Sequence, residues 1–520
     1  MIRRLVGVDL GIASAHTVRV LAQDGTEVCR RRCEPTVSSL AAVEAAALAG
    51  APAGTRLEVV LEPTGPAWLP VAVFFAGRGH LVFRVSCARA ADLRRFLSRH
   101  AKSNGIDADT LARLPLIDPG GLSVLELPGP EAAALDRRVR ACDRLTVLGA
   151  QHKVRIKDLV RQLMPCSPLG GDLGGADLAV LARWADPRAL LKAGPARLTQ
   201  AIETASNNHQ GRDRAPAWRA AATAAVEVYA DHPAVAFDDL AAEVATEVAL
   251  LRATQAELAV HAAERERAYH VTDVAGLARS LPGLGAVGAP VLVAAMGRAG
   301  RFPRAAAFKS FTGLAPRAAE TGNTDRKGQP MSKAGSSLLR TTLIRAADHA
   351  RKQDPQLAKI YYTQMVERGA EHLKALCVVA GALAERAWAV LERQLPYVVC
   401  DTDGAPVTPD QAKQIIAERF TVPVEVRRRR RSTKTSSAHA TPTRLPQPQV
   451  GKAPQQAHAG HDRSDHPKGG VDNTRRPSPR PIVAADHTTV KPTTPPAQRA
   501  RAARQRGQAP ACPQPPAQGR

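Results

Sequence analysis

Two short apolar runs in this chain end on a carboxylate, and a third carboxylate stands where a helical pattern begins. Leu5-Val6-Gly7-Val8 runs into Asp9. Leu57-Glu58-Val59-Val60-Leu61 runs into Glu62, and Pro63-Thr64-Gly65 follows. Asp107 lies in Lys102-Ser103-Asn104-Gly105-Ile106-Asp107-Ala108. Apolar runs of this length bounded by turn residues are buried strands. A carboxylate at the end of a buried strand is costly unless something positive neutralises it. Three that converge offer hard oxygen donors to a divalent cation, magnesium or manganese. Taken singly, each has a plainer reading. Asp9 reads as a turn former, Glu62 as the start of the next helix, and Asp107 as a charge that favours a helix N-terminus.

The elements around these acids follow the order βββαβαβα. Strands are expected over Leu5–Leu10, His16–Ala22 and Glu27–Cys33, the last two joined at Asp24-Gly25. A helix over Val37–Leu48, a strand over Leu57–Leu61, a helix over Trp68–Ala76 and a strand over His80–Val85 come next. Arg89–Ser98 and Ile106–Leu114 complete the unit as helices. That order is the one of an α/β ribonuclease H-like fold, in which acids stand at strand ends and on a late helix. Beyond it, Glu131–Met164 and Phe237–Tyr269 read as two long antiparallel helices or a coiled coil. Leu240, Val244, Val248, Leu251, Leu258 and Val260 form the apolar stripe of the second. Leu277–Val398 reads as a mostly helical domain, opened by the helix–hairpin–helix-like turn Leu281-Pro282-Gly283-Leu284-Gly285. Gly283 and Gly285 suit either backbone approach to a phosphate or a tight helix connection without ligand.

A net charge of +24 and a pI near 10.4 point to a polyanionic partner, most simply nucleic acid. The charge is uneven: residues 427–520 hold 19 Lys/Arg against 4 Asp, so +15 belongs to that Pro- and Arg-rich stretch. Such a composition is expected to be a solvated, largely disordered tail that binds weakly and without sequence preference. Eight cysteines are scattered without a CxxC pair, which favours reduced thiols over zinc. No apolar run reaches the ~18 residues of a membrane span. A soluble, cytoplasmic protein is expected.

The three acidic motifs, Val8-Asp9-Leu10-Gly11, Leu61-Glu62-Pro63-Thr64-Gly65 and Lys102–Ala108, resemble the N-terminal domain of DEDD insertion-sequence transposases. These are RuvC-like recombinases whose elements encode a guiding bridge RNA. The second half is similar to the same family's C-terminal transposase domain. Its motifs there are Leu281–Gly285, Phe302-Pro303, Phe311-Thr312-Gly313-Leu314-Ala315-Pro316-Arg317 and Met331-Ser332-Lys333-Ala334-Gly335 through Leu339-Arg340. The resemblance covers residues 5–395. It divides the chain into a catalytic domain over 1–128, a helical or coiled-coil linker over 129–270, a transposase domain over 271–400 and a tail over 401–520.

The family's four acids map onto Asp9, Glu62, position 104 and Asp107. Position 104 is Asn here, an oxygen donor without charge. Asp109 is a possible substitute, but residues 104 and 107 share a helix face whereas 107 and 109 do not. The family's nucleophilic serine precedes a glycine after the Gly-Leu-x-Pro-Arg segment, and Thr321 of Glu320-Thr321-Gly322 takes its place. Ser332 is the fallback hydroxyl, and a phosphate-binding role for Thr321 is the plainer alternative. Arg317, Arg326, Lys327, Lys333 and Arg340 surround that loop as a phosphate clamp or a solvated basic loop. Arg94, Arg95, Arg99, His100 and Lys102 lead into the acidic site and are further candidates for nucleic-acid backbone contacts.

The resemblance implies metal-dependent DNA cleavage and rejoining through a covalent intermediate, a structured guide RNA, and a dimer or tetramer. Two other readings compete: a Holliday-junction resolvase-like nuclease with the same acids and no covalent step, and a non-catalytic nucleic-acid-binding remnant.

Overall fold

The computed structural model describes residues 2–430, apart from 64, 99–100, 102, 231, 318–319, 322–323 and 326–328, together with the side chains of 211–212, 320–321 and 324–325. The N-terminal part is a five-stranded sheet made of β1 (Arg3–Asp9), β2 (His16–Leu21), β3 (Glu27–Cys33), β4 (Arg56–Leu61) and β5 (Leu81–Arg84). Helices α1 (Val37–Leu48), α2 (Trp68–Gly77), α3 (Cys87–Leu97) and α4 (Asn104–Ile117) pack on it. Strand order is β3-β2-β1-β4-β5, with β1 antiparallel to β2 and parallel to β4.

Side chains alternate across each strand, and both faces are used. Val6, Val8, Val18 and Val20 join Leu40, Val43, Val71 and Phe75 of α1 and α2 in one core layer. On the other face, Val60 and Phe83 pack with Ala90, Leu111 and Leu114, and Leu5 and Leu21 pack with Ala112. Here α4 lies directly on the backbone of β1. A Cβ on Gly7 would overlap the carbonyl oxygen of Ala108 and the amide nitrogen of Ala112.

The long helices α5 (Pro130–Leu163) and α10 (Phe237–Thr272) form an antiparallel hairpin. Arg138 pairs with Glu264 at 2.8 Å, His152 with Glu247 at 2.7 Å, and Arg155 with Glu243. Partner numbers fall along α10 as they rise along α5, as antiparallel packing requires. Val244, Val248 and Leu251 are buried in the seam, but Val260 is 54% exposed and lies outside the expected stripe. The hairpin has a core at each end. At its tip, α6 (Gly175–Trp184), α7 (Pro187–Ala193), α8 (Pro195–Ala205) and α9 (Gly211–Tyr229) close over Ile156, Leu159 and Leu163 with Trp218 at the centre. At its base, Leu135, Val139 and Tyr269 enter the largest core of the protein.

That largest core belongs to the C-terminal helices. They are α11 (Leu277–Ser280), α12 (Gly288–Met296), α13 (Ala305–Thr312), α14 (Ser337–Ala350), α15 (Pro355–Tyr362) and α16 (His372–Arg393). A short hairpin of β6 (Glu320–Thr321) and β7 (Thr324–Asp325) leaves this layer between α13 and α14. Two further helices, α17 (Pro409–Arg419) and α18 (Val424–Arg429), follow. Residues 401–430 were expected to lie in the tail, and the structure corrects this. Thr408 and Gln411 form a reciprocal capping box that starts α17. Ala412 is buried, Val422 joins the main core, and the Arg430 guanidinium donates to the Gly369 carbonyl. The local charge run hid these few apolar anchors. The expected disordered stretch from residue 431 lies outside the described residues.

Two stability measurements check this architecture. Gly7→Ala should destabilise the chain by roughly 1–3 kcal/mol in denaturant titrations, because an added methyl must push α4 off β1. Truncation after Arg430 should leave the melting temperature near that of the full chain. Truncation after Cys400 should lower it clearly, since each fully buried aliphatic side chain contributes about 1.5–3 kcal/mol.

Candidate active site

The site is built by register. Gly7 and Asp9 are two apart on β1 and share the face that α4 covers. Val60 pairs beside Gly7 and Leu61 beside Val8, so Asp9 and Glu62 come at the ends of neighbouring parallel strands. Helix α4 runs antiparallel to β1: Leu5 packs with Ala112, and Gly7 sits against Ala108 and Ala112. One step further along the strand, Asp9 comes level with the first turn of α4, which holds Asn104 and Asp107.

Local capping fixes that turn. Ser103 is the N-cap, its hydroxyl accepting from the Ile106 amide at 3.3 Å, and Asn104 is the first helical residue. The helix therefore extends back far enough for Asn104 and Asp107 to share a face. Asp107 is half-buried and accepts from Arg94 Nη1 at 3.0 Å. Asp109 is paired instead with Arg113, Nε to Oδ2 at 2.7 Å, on another side of the helix. Glu62 accepts a hydrogen bond from the Cys87 thiol at the start of α3. That bond, and then burial, pushes the thiol above its ordinary range. Behind the β1–β2 turn, buried His16 accepts from the Gly11 amide through Nδ1 at 3.2 Å. Desolvation lowers its pKa and favours the neutral ring.

Among the described residues, no group of three His, Cys, Asp or Glu side chains closes into a metal cluster. The donors are nonetheless oxygen atoms suited to a hard cation, gathered at one end of the sheet. Arg94 supplies the positive charge at Asp107 in this structure, so a bound cation would compete with it there.

The second set of motifs forms a strap beside the C-terminal core. Lys333 N–H donates to the Gly313 carbonyl at 3.1 Å, Ser332 N–H to Ala315 at 2.8 Å and Arg317 N–H to Pro330 at 3.0 Å. Further along the same segment, Thr321 of β6 pairs with Thr324 of β7. Gly313, at φ +74°, and Gly335, at φ +102°, are required twice over. Each holds a left-handed backbone, and a Cβ would overlap the carbonyl oxygen of Ala334 or Phe311 respectively. Arg340 Nη1 donates to the Lys333 carbonyl at 3.3 Å, so it holds the strap in shape. Arg317 and Lys333 are exposed along it. Ser332 sits on the opposite arm from Thr321. The Thr321 side chain lies outside the described residues, as do Lys102, Arg326 and Lys327.

Gly283, at φ +80°, is needed for packing, because a Cβ there would overlap the carbonyl oxygen of Ala346 in α14. Gly285 has open space around it. The structure also adds residues that the motifs did not flag. Cys87 carries no spacing signal, and its contact with Glu62 follows only from where α3 starts. Arg94 was noted as a candidate backbone contact; its pairing with Asp107 depends on how α3 crosses α4.

Comparison with known proteins matches both halves in order. Residues 6–165 match the DEDD transposase model, and residues 275–363 match the IS116/IS110/IS902 transposase model. An uncharacterised 43.6 kDa protein of insertion element IS110 from Streptomyces coelicolor is 26% identical over 380 residues, 72% of this chain and 90% of that protein. The acid-bearing sheet and the downstream strap fall within these two matched segments, and the matched models describe DEDD-type transposases, a class of enzymes that cut and rejoin DNA. These matches and this relative support an IS110-family transposase. Among the described residues, no helix is long and apolar enough to cross a membrane.

Proposed function

We propose that the chain moves an insertion sequence by metal-dependent strand cleavage and rejoining, with sequence choice delegated to a guide RNA. The observation that carries this reading is the arrival of Asp9, Glu62 and the first turn of α4 at one end of a sheet that we read as ribonuclease H-like. Asp9, Glu62 and Asp107 would hold magnesium or manganese, with Asn104 as a neutral donor at the edge. When bound, such a cation would polarise the scissile phosphate and stabilise charge on the displaced oxygen. Arg94 holds the Asp107 carboxylate in place, and a bound cation would compete with it there. Thr321 supplies the attacking hydroxyl. Its oxygen bonds to phosphorus, its proton passes to solvent, and the strand's own P–O bond breaks to leave a free hydroxyl end. The phosphothreonine link conserves bond energy, so a second strand's hydroxyl can reverse the step without ATP. Arg317 and Lys333, with Lys102, Arg326 and Lys327, would grip the backbone.

Val147 and Val154, seven apart on α5, share a helix face and are exposed. A second copy lying along that face would bury them, as a dimer or tetramer requires.

Two experiments test the chemistry. In calorimetric titration with Mn2+, Asn104→Asp should tighten binding. Arg94→Met should tighten it by about two- to fivefold, the equivalent of the ~0.4–1 kcal/mol that such an accessible pair is worth. Weaker binding in both variants would remove the acids from the metal site. In cleavage assays, wild type should trap a covalent protein–DNA adduct and Thr321→Ala should abolish it. Thr321→Ser should preserve or raise the rate, because it removes the crowding methyl. Loss of the adduct in Ser332→Ala alone would move the nucleophile there. Nicking with no adduct would establish hydrolysis of the resolvase kind.

A further inference from the structure

We infer that Arg84, Arg140 and Arg301 together form a binding site for a nucleic-acid phosphodiester, set between the acid-bearing sheet and the C-terminal core. The inference rests on the transposase reading and gives it a backbone-holding element that no motif marks.

The three arginines come from three separate segments. Arg84 ends β5 and pairs in register with Leu61, the residue before Glu62. Arg140 stands on α5. Arg301 follows α12, and its guanidinium lies over the rings of Phe302 at 5.2 Å and Phe311 at 5.0 Å. Phe311 is two residues from Gly313, where the strap begins. Arg298, three residues before Arg301, pairs with Glu126. Residues 124–125 run along β5, with Phe83 bridged to Val124. These links bring the two halves of the chain together at this point.

Arg84 lies 4.8 Å over the Trp68 ring. Burial and then the neighbouring charges of Arg301 and Arg140 depress its pKa, while Asp136 opposes the shift. Asp136 is already paired with Arg140 at 2.8 Å. Among the described residues, neither Arg84 nor Arg301 makes an ion pair or a side-chain hydrogen bond. Asp136 is the one carboxylate among the charges acting on Arg84, and Arg140 already holds it. Stacking on an aromatic ring fixes a guanidinium plane while leaving its N–H edge to bind. Two such fixed edges with a net positive field suit the paired oxygens of a phosphate. A purely structural cation–π contact would gain nothing from gathering like charges.

DNA and RNA share this chemistry, and the test separates them. The full chain and its Arg84→Gln/Arg301→Gln variant are titrated with a labelled duplex DNA and a labelled single-stranded RNA across a range of salt. The salt slope should become shallower by about 0.9 per lost contact on duplex DNA, or about 0.7 on single strands. A change on the duplex assigns the site to DNA, a change on RNA to a guide, and a change on both to either backbone. Arg267→Gln/Arg393→Gln, which removes equal charge from exposed helix positions, should alter neither slope by as much. Asp136→Asn should tighten binding, a gain that misfolding does not mimic. Unchanged slopes in the Arg84/Arg301 variant, equal losses in the charge-matched control, or weaker binding in Asp136→Asn would overturn the proposal. Failure of the transposase reading would show separately, as wild-type chain that binds both probes yet neither cuts nor forms an adduct.

Discussion

The contact between α4 and β1 at Gly7 is the constraint on which the candidate site depends. Without a side chain at that position, helix backbone can rest on strand backbone. This closeness brings the first turn of α4 beside the end of β1. The parallel pairing of β1 with β4 then brings the position after Leu61 to the same level. Distant segments of sequence thus meet through one glycine and one strand register. A residue with a Cβ at position 7 would lift the helix and draw Asp107 away from Asp9 and Glu62, with every acid still present.

Charge is managed locally around this arrangement. Arg94 balances Asp107, the Cys87 thiol donates to Glu62, and Asp109 is occupied by Arg113. Asn104 brings no negative charge to the helix turn. In the proposed reading this lowers the field available to a cation and makes the competition from Arg94 more important. The Gly313 and Gly335 positions do for the strap what Gly7 does for the sheet, letting backbones approach where side chains would collide.

Much of the fold was legible because the N-terminal unit follows the two simplest periodicities. The Leu5–Val8 and Leu57–Leu61 runs gave buried strands, and Val37–Leu48 matched its helix end to end. The face shared by Asn104 and Asp107 followed from their three-residue spacing, while the Ser103 cap that carries the helix back to position 104 came from the structure. Other features were hidden because they depend on tertiary packing. Val260 fits an apolar stripe in spacing but faces outward once α5 takes its place beside α10. Gly283 looked equally suited to a phosphate or to a helix, and only the position of α14 shows which backbone approaches it. Residues 401–430 were masked by their basic neighbours, since Ala412 and Val422 are too few to form a periodic signal. The pairing of Arg94 with Asp107 needed the crossing of α3 and α4, which no spacing encodes.

The most direct measurement of the central claim is anomalous diffraction from crystals of the full chain grown or soaked with Mn2+. A peak bound by carboxylate oxygens of Asp9, Glu62 and Asp107, with Arg94 turned away from Asp107, is the expected result. A map with manganese elsewhere, and with Arg94 still holding Asp107 at saturating metal, would contradict it.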